Sequence, residues 1–255
     1  MPVYYTERKL LKMRLDKFIV ESGLATRTEI AKAAKNGAIT VNGEIVRRPS
    51  GHIDPVCDVI TFCGKKVIYR EFTYIMLNKP EGYVSARSDD LSPTVIELLP
   101  PELQRIGLFP CGRLDKNTFG LMLLTNNGPL SHKLLSPKNH VDKKYYFEVK
   151  FPISVDDVKS LESGVDIGGY MTAPCKVEML DEKHGHITLT EGKYHQIKLM
   201  AEAVHNQITF LERVTFGPIL LDRSLERGEW RYLTNEEEEL LEARGVAASG
   251  SNNQK

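Results

Sequence analysis

The segment "AITVNGEIV", residues 38–46, limits what this chain can fold into more than any other stretch. Asn42–Gly43 is the dipeptide a two-residue hairpin turn asks for, because both central residues must take positive φ, and strand-forming residues flank it on either side. Ahead of it, "MRLDKFIVESGLATRTEIAKAAKNG" carries Leu15, Phe18 and Ile19 at helical spacing, with Gly23 to end that helix. Thr26 or Thr28 caps a second helix, "RTEIAKAAKNG", which Gly37 stops. Two helices and a hairpin within residues 13–46 bury too little apolar surface to stand alone, so the module must lean on later strands. "HIDPVCDVITFCGKKVIYRE" continues with alternating strands that close it near residue 70.

Charge is unevenly shared along the chain. Its 255 residues carry 34 Lys and Arg against 34 Asp and Glu, which is neutral overall. Residues 1–70 hold 13 basic against 7 acidic side chains, whereas residues 225–255 hold 4 against 7, concentrated in "NEEEELLE". Such asymmetry points to a basic N-terminal module that meets phosphate and a larger body with other work, although a solvated surface has the same composition. Arg14, Lys17, Arg27, Lys32 and Lys35 fall on the two helices. The helix pair, its basic side chains and the hairpin resemble the S4 RNA-binding domain, the likeness running through "RLDKFIVESGLATRTEIAKAAKNGAITVNG". That resemblance implies a helical face docked on RNA phosphates and shape.

The rest of the chain mixes strands with fewer helices. "FTYIMLNKPEGYVSA" opens with a strand to Leu77 that Pro80 and Gly82 break, "TVIELLP" reads as a short helix, and "GLFPCGRLD" as a strand leaving it. "GPLSHKLLSP" and "SVDDVKSLESG" read as helices, the latter capped by Ser154, and "KKYYFEVKF", "APCKVEMLD", "HGHITLTEG" and "QITFLERVTFGPILL" as strands. "KYHQIKLMAEAVHN" is an amphipathic helix with Ile197, Met200, Ala201 and Val204 on one face. The pattern predicts α+β architecture with a mainly antiparallel mixed sheet. The expected domains are a lead at 1–12, the small module at 13–70, a larger domain at 71–240 and a disordered tail at 241–255.

Several chemistries are excluded at this level. No GxGxxG or GxxxxGK[ST] offers a phosphate cradle for a nucleotide cofactor. Cys57, Cys63, Cys111 and Cys175 form no CxxC pair and no zinc-finger spacing, and read as reduced thiols, so no metal and no cofactor is expected. No apolar run reaches the roughly 18–20 residues that span a bilayer, and the N-terminus lacks a signal peptide's apolar region, so cytoplasm is the expected compartment and no membrane partner is expected.

"CGRLDKNTFGLMLLTNNG", residues 111–128, sets one carboxylate, Asp115, beside an apolar run. By type and spacing such an Asp is a turn or capping residue more often than a catalytic one. A glycosidase needs a second carboxylate, and spacing selects none of Asp142, Asp166 or Glu191. The stretch resembles the central motif of the pseudouridine synthases of the RsuA type, G-R-L-D-x-x-T-x-G-L followed by alternating apolar residues and T-x-x-G. "LNKPEGYVSA", "KKYYFEV" and "EGKYHQIKLM" resemble three further motifs of that family in the right order, so with the S4 module the likeness covers residues 13–240.

The resemblance implies that the uridine N1–C1′ bond is broken and the uracil rejoined through C5. The family's Asp attacks the ribose or takes a proton from C2′, and here that residue is Asp115. Its cationic partner is Lys198, one residue and about 100° around the helix from buried Ile197. Tyr145 matches the tyrosine that stacks on the uracil, while Tyr146 faces the other side of the strand. Ile197 offers an apolar wall, Lys79 and Pro80 shape the rim with Lys79 counted among the RNA contacts, and Arg113 holds the displaced strand. Gly112 and Gly120 are backbone-permissive positions near the turn, Thr118 bonds the loop or is an ordinary turn residue, and the family does not require His195.

"EGKYHQIKLM" is similar to the small-subunit branch of the family, with Leu199 standing where that branch often has Arg. The implied substrate is 16S rRNA, naked or in an assembly intermediate, modified by the type acting at position 516, and the implied state is a monomer. A related synthase acting on 23S rRNA, a non-catalytic S4-type RNA-binding protein and a hydrolase of free nucleosides are the rival readings.

Overall fold

The computed structural model describes residues 12–136, 139 and 141–250. Residues 1–11 of the expected lead and 251–255 of the expected tail lie outside them. The described chain forms two compact units, one of residues up to Glu71 together with Leu99–Leu108, the other of Phe72–Leu98 and everything from Phe109 on. Residues 99–108, which the sequence assigns to the larger domain, thus group with the small one.

In the first unit β1 (Met13–Arg14) leads into α1 (Leu15–Glu21), and α2 (Arg27–Lys35) follows. Thr26, not Thr28, caps α2: its hydroxyl takes the Glu29 N–H while the Glu29 carboxylate takes the Thr26 N–H, satisfying two end donors reciprocally. β2 (Ile39–Val41) and β3 (Glu44–Ile45) form the hairpin, with Asn42 and Gly43 at φ 53° and 88°. β4 (His52–Ile53) pairs with β1, while β5 (Ile60–Phe62) and β6 (Lys65–Lys66) complete a sheet ordered β3-β2-β5-β6. Leu15, Phe18, Ile19, Ile30, Ile39 and Ile60 are all fully buried at its centre, each such side chain contributing about 1.5–3 kcal/mol. Arg14 lies on β1 rather than on a helix.

The second unit is built on a nine-stranded sheet, mostly antiparallel. β7 (Tyr74–Lys79), β8 (Phe109–Pro110) and β9 (Phe119–Thr125) are followed by α4 (Gly128–Leu135), β10 (Lys143–Val149), α5 (Val155–Ser163), β11 (Lys176–Met179) and β12 (His184–Leu189). Then come α6 (Gln196–Ala203), β13 (Ile208–Phe216), β14 (Ile219–Leu220), β15 (Trp230–Tyr232) and α7 (Asn235–Gly250). The main path runs β11-β12-β10-β13-β9-β7-β15, with β14 on β13 and β8 on β9. Its one parallel pair among the described residues is β13 with β9, where Gly120 lies opposite Arg213. A Cβ on Gly120 would stand 2.4 Å from the Arg213 carbonyl oxygen, so only glycine lets these strands meet. Every residue of β7 is buried, and Tyr74, Met76, Leu121, Leu123 and Phe216 pack with Leu130 and Leu134 of α4 and Leu241 of α7.

Four local expectations are corrected. "TVIELLP" makes turns, not a helix: the Glu97 carboxylate accepts from the Thr94 N–H and hydroxyl, but Pro100 forces Leu99 out of helical geometry and α3 (Pro101–Arg105) starts afresh, in the first unit. "GLFPCGRLD" is strand only at Phe109–Pro110, because Gly112 at φ 88° turns the chain. The amphipathic helix starts at Gln196, since His195 has φ 50° and cannot be helical. Residues 241–250, expected as tail, belong to α7, and Leu241 is fully buried.

Candidate active site

Asp115 sits in the loop between β8 and β9, and that loop is tied from several sides. Lys79, the last residue of β7, is fully buried, and its ammonium donates to the carbonyl oxygens of Pro80 (2.9 Å), Asp115 (3.1 Å), Lys116 (3.2 Å) and Thr118 (2.9 Å). Burial pushes its pKa down to about 8, the Asp115 charge acting the other way; the carbonyls accepting from the charged form oppose the burial effect. Ser85 brackets Leu114, its hydroxyl donating to the carbonyl oxygen at 2.7 Å and accepting from the N–H at 2.9 Å. Thr118 closes the turn through its backbone N–H, 3.0 Å from the Asp115 carbonyl, while its buried hydroxyl has no partner among the described residues.

With its backbone so occupied, Asp115 presents its carboxylate to α6. Lys198 Nζ donates to Asp115 Oδ2 at 2.8 Å and to Asn117 Oδ1 at 2.5 Å, so the ammonium is shared between a charge and an amide of the same loop. His195 Nε2 lies 3.6 Å from Asp115 Oδ1. Ile197, one position before Lys198, is buried. Helical geometry therefore turns one neighbour into the core and the other toward the loop.

These groups border a cleft of about 530 Å³, large enough for a nucleoside. Tyr145 of β10 forms part of its wall with Leu189, Leu211 and Ile197, and keeps only 8 % of its surface exposed. Tyr146 points to the opposite face, its hydroxyl donating to Glu148 at 3.0 Å and its ring edge-on to Phe210. Arg213 also lines the cleft; it is buried, donates from Nε to the Leu121 carbonyl at 2.7 Å, and stands over the Phe216 ring. Lys143 lies on the same wall, its pKa lowered by burial first and then by the Arg213 charge. The cleft is thus a pocket with apolar walls and several cations, bordered by two carboxylates, Asp115 and Glu191, of which Asp115 is the one paired with Lys198. Among the described residues no group of three His, Cys, Asp or Glu side chains is placed to hold a metal ion.

The cleft brings together Asp115, Lys198, Tyr145, Ile197 and Arg113, which is exposed at its edge. Lys79 is not among its lining residues: sealed from solvent by four carbonyls, it cannot be the RNA contact expected of it and instead shapes the loop. Arg14, Lys17, Arg27, Lys32 and Lys35 belong to the first unit and are all exposed. Arg14 is paired with Asp16 at 2.7 Å and Lys17 with Glu21 at 3.5 Å. Sequence reasoning passed over Asn117, Ser85, Tyr194 and Arg213, and set His195 aside. Asn117 stood inside the quoted motif at a position the motif leaves free, and Ser85 reaches Leu114 only through folding.

Comparison with known proteins places the chain in a family. The family model described as RNA pseudouridylate synthase matches residues 73–203, and that of the S4 domain matches residues 13–60. An uncharacterized RNA pseudouridine synthase, YtzG, of Bacillus subtilis is 47% identical over 234 residues, covering 90% of this chain and 98% of its own. Ribosomal small subunit pseudouridine synthase A of Haemophilus influenzae is 39% identical, covering 90% of this chain and 99% of its own. The Escherichia coli (strain K12) protein of the same name is 37% identical, covering 88% and 98%. A crystal structure of a pseudouridylate synthase superposes with a TM-score of 0.64 at 38% identity, covering 90% of this chain and 99% of that one. On these matches the chain belongs to the RNA pseudouridine synthase family, in the branch that carries an N-terminal S4 domain.

Proposed function

We propose that this chain isomerises uridine to pseudouridine in small-subunit ribosomal RNA, with Asp115 as the reacting carboxylate. The observation that carries the reading is the 2.8 Å contact between Lys198 Nζ and Asp115 Oδ2, made across 83 residues beside a cleft walled by Tyr145. The uridine N1–C1′ bond breaks, the uracil turns within the cleft, and C5 joins C1′; the C5 proton leaves and N1 gains one, so nothing is oxidised or reduced. Asp115 serves this by attacking the ribose or by taking a C2′ proton. Either role uses the carboxylate that Lys198 and the braced loop hold at the cleft.

Tyr145 stacks on the uracil and Ile197 closes the apolar side. A stacked uridine must first be flipped from its helix at a cost of a few kcal/mol. Arg113, exposed at the cleft edge, offsets part of that by stacking where the base left. Arg14, Lys17, Arg27, Lys32 and Lys35 dock the S4 module on phosphate. The small-subunit assignment is supported by relatives named for that activity and by "EGKYHQIKLM", and the finer expectation is position 516 of 16S rRNA, modified by a cytoplasmic monomer.

Mapping pseudouridine in ribosomal RNA from cells lacking the gene tests this. One small-subunit site should vanish, return with the wild-type gene, and stay absent with Asp115→Asn. A lost large-subunit site would transfer the enzyme to 23S rRNA, and an unchanged map would leave an RNA-binding protein without this chemistry.

A further inference from the structure

Tyr194 borders the Asp115 cleft and leaves 78 % of its surface exposed. Exposed as it is, the ring is held in place. It stacks on the His195 imidazole with centroids 3.8 Å apart and planes inclined by 17°. That imidazole in turn approaches Asp115, Nε2 standing 3.6 Å from Oδ1. Carboxylate, imidazole and phenol ring therefore follow one another outward from the cleft.

The backbone beneath the pair is fixed in an uncommon form. His195 takes φ 50°, a left-handed conformation that a non-glycine residue holds only when its surroundings impose it. The surroundings do so through side chains. Gln196, buried, accepts from the Lys193 N–H at 2.9 Å and donates to Glu191 at 2.6 Å. Glu191 also accepts from the Ala173 N–H at 2.9 Å and the Tyr170 hydroxyl at 2.8 Å. Lys193 lies 4.2 Å from the Tyr170 ring centroid. A loop braced this way presents Tyr194 pre-positioned, with one face on His195 and the remainder of the ring open to water.

Resting on the uridine-isomerising reading given above, we propose that Tyr194 is a stacking platform for the nucleobase adjacent to the target uridine. Flipping a uridine strips the neighbouring base of its stacking partner, and an aromatic ring at the mouth of the cleft replaces that partner. Every base has a π-face, so the platform grips the strand without reading its sequence. His195 sets the spacing between platform and carboxylate.

The test uses a single-stranded oligoribonucleotide with one central uridine, carrying 2-aminopurine or an abasic site as its 5′ or 3′ neighbour in turn. On one of the two sides, wild-type protein and Tyr194→Phe quench the 2-aminopurine fluorescence and Tyr194→Ala does not. Tyr194→Ala and the abasic neighbour each raise KM or Kd about tenfold, the low end of what one stacked base contributes, with kcat little changed. Combined, they cost no more than either alone. Equal quenching by Tyr194→Ala, or losses that multiply, would overturn the platform. Pseudouridine formation in a small-subunit rRNA transcript, run alongside, separates the two ideas. Product without coupling removes the platform alone; coupling without product on any rRNA keeps the platform as an RNA contact and removes the reaction.

Discussion

Lys79 is a charged side chain whose work is done on backbone. Four carbonyl oxygens from residues 80, 115, 116 and 118 converge on its ammonium, and a buried cation so satisfied fixes the path of the chain around Asp115. Lys79→Met should lower kcat by at least about tenfold, equivalent to about 1.4 kcal/mol in the barrier, while RNA affinity stays within about twofold. Steady-state kinetics beside a binding titration checks this; a KM effect without a kcat effect would return Lys79 to the RNA surface. Asp115, Lys198 and Tyr145 were legible because they stand at fixed places in long motifs. Lys79 was legible as a member of "LNKPEG" but not in its role, since a sequence does not say which way a lysine at a strand end points. Asn117 and Ser85 act through single contacts made by folding, and no periodicity marks such contacts.

Among the elements, α2 and the first hairpin follow from local chemistry alone, as the Thr26 cap, Gly37 and the Asn42–Gly43 turn agree there, and α1 follows from its apolar spacing and Gly23 without a side-chain cap. The terminal helix does not. "NEEEELLE" reads as a charge run, and the helix is secured instead by Arg231, which donates from Nε to Asp222 at 2.6 Å and forks onto Glu237 at 2.7 and 2.8 Å. Glu237 also takes the Thr234 N–H and gives its own N–H to the Thr234 hydroxyl, which starts α7. Arg231→Ala should lower the melting temperature by about 2–4 °C at neutral pH, the shift expected of a loss near 1 kcal/mol in a chain of this size. Hydrogen bonds from Ser224, then Arg231, hold the Asp222 carboxyl down at about 2, and the Arg231 bond first of all lowers Glu237. Carboxyls depressed in the folded state stabilise it above their ordinary values of 3.8 and 4.5, and that stability is lost as pH falls through the folded ones. Melting curves of wild type and Arg231→Ala should therefore converge between about pH 4 and pH 2. A gap of constant size across that range would show that packing, not charge, secures the helix.

For the whole molecule the informative quantity is charge distribution rather than net charge. A neutral chain reaches a polyanion by concentrating basic residues in one unit, and on α2 the exposed Arg27, Lys32 and Lys35 make no ion pair among the described residues. Replacing these three by Ser should flatten the slope of log affinity against log salt by about two, at about 0.7–0.9 per phosphate contact, and leave kcat at saturation unchanged. An unaltered slope in filter-binding or anisotropy titrations would remove α2 from the RNA interface. The two-domain, α+β arrangement was legible from alternating motifs and the early hairpin. That residues 99–108 group with the first unit was not, because nothing in their composition marks a return to a part of the chain already passed.

That return orders events at synthesis. When Glu71 emerges, the first unit still lacks residues 99–108, among them Glu102, whose carbonyl oxygen stands 2.0 Å from where a Cβ on Gly23 would be. The small unit therefore gains this last segment only after β7 of the large one has been made, as an addition to a core, Leu15 to Val67, whose residues have all emerged by then.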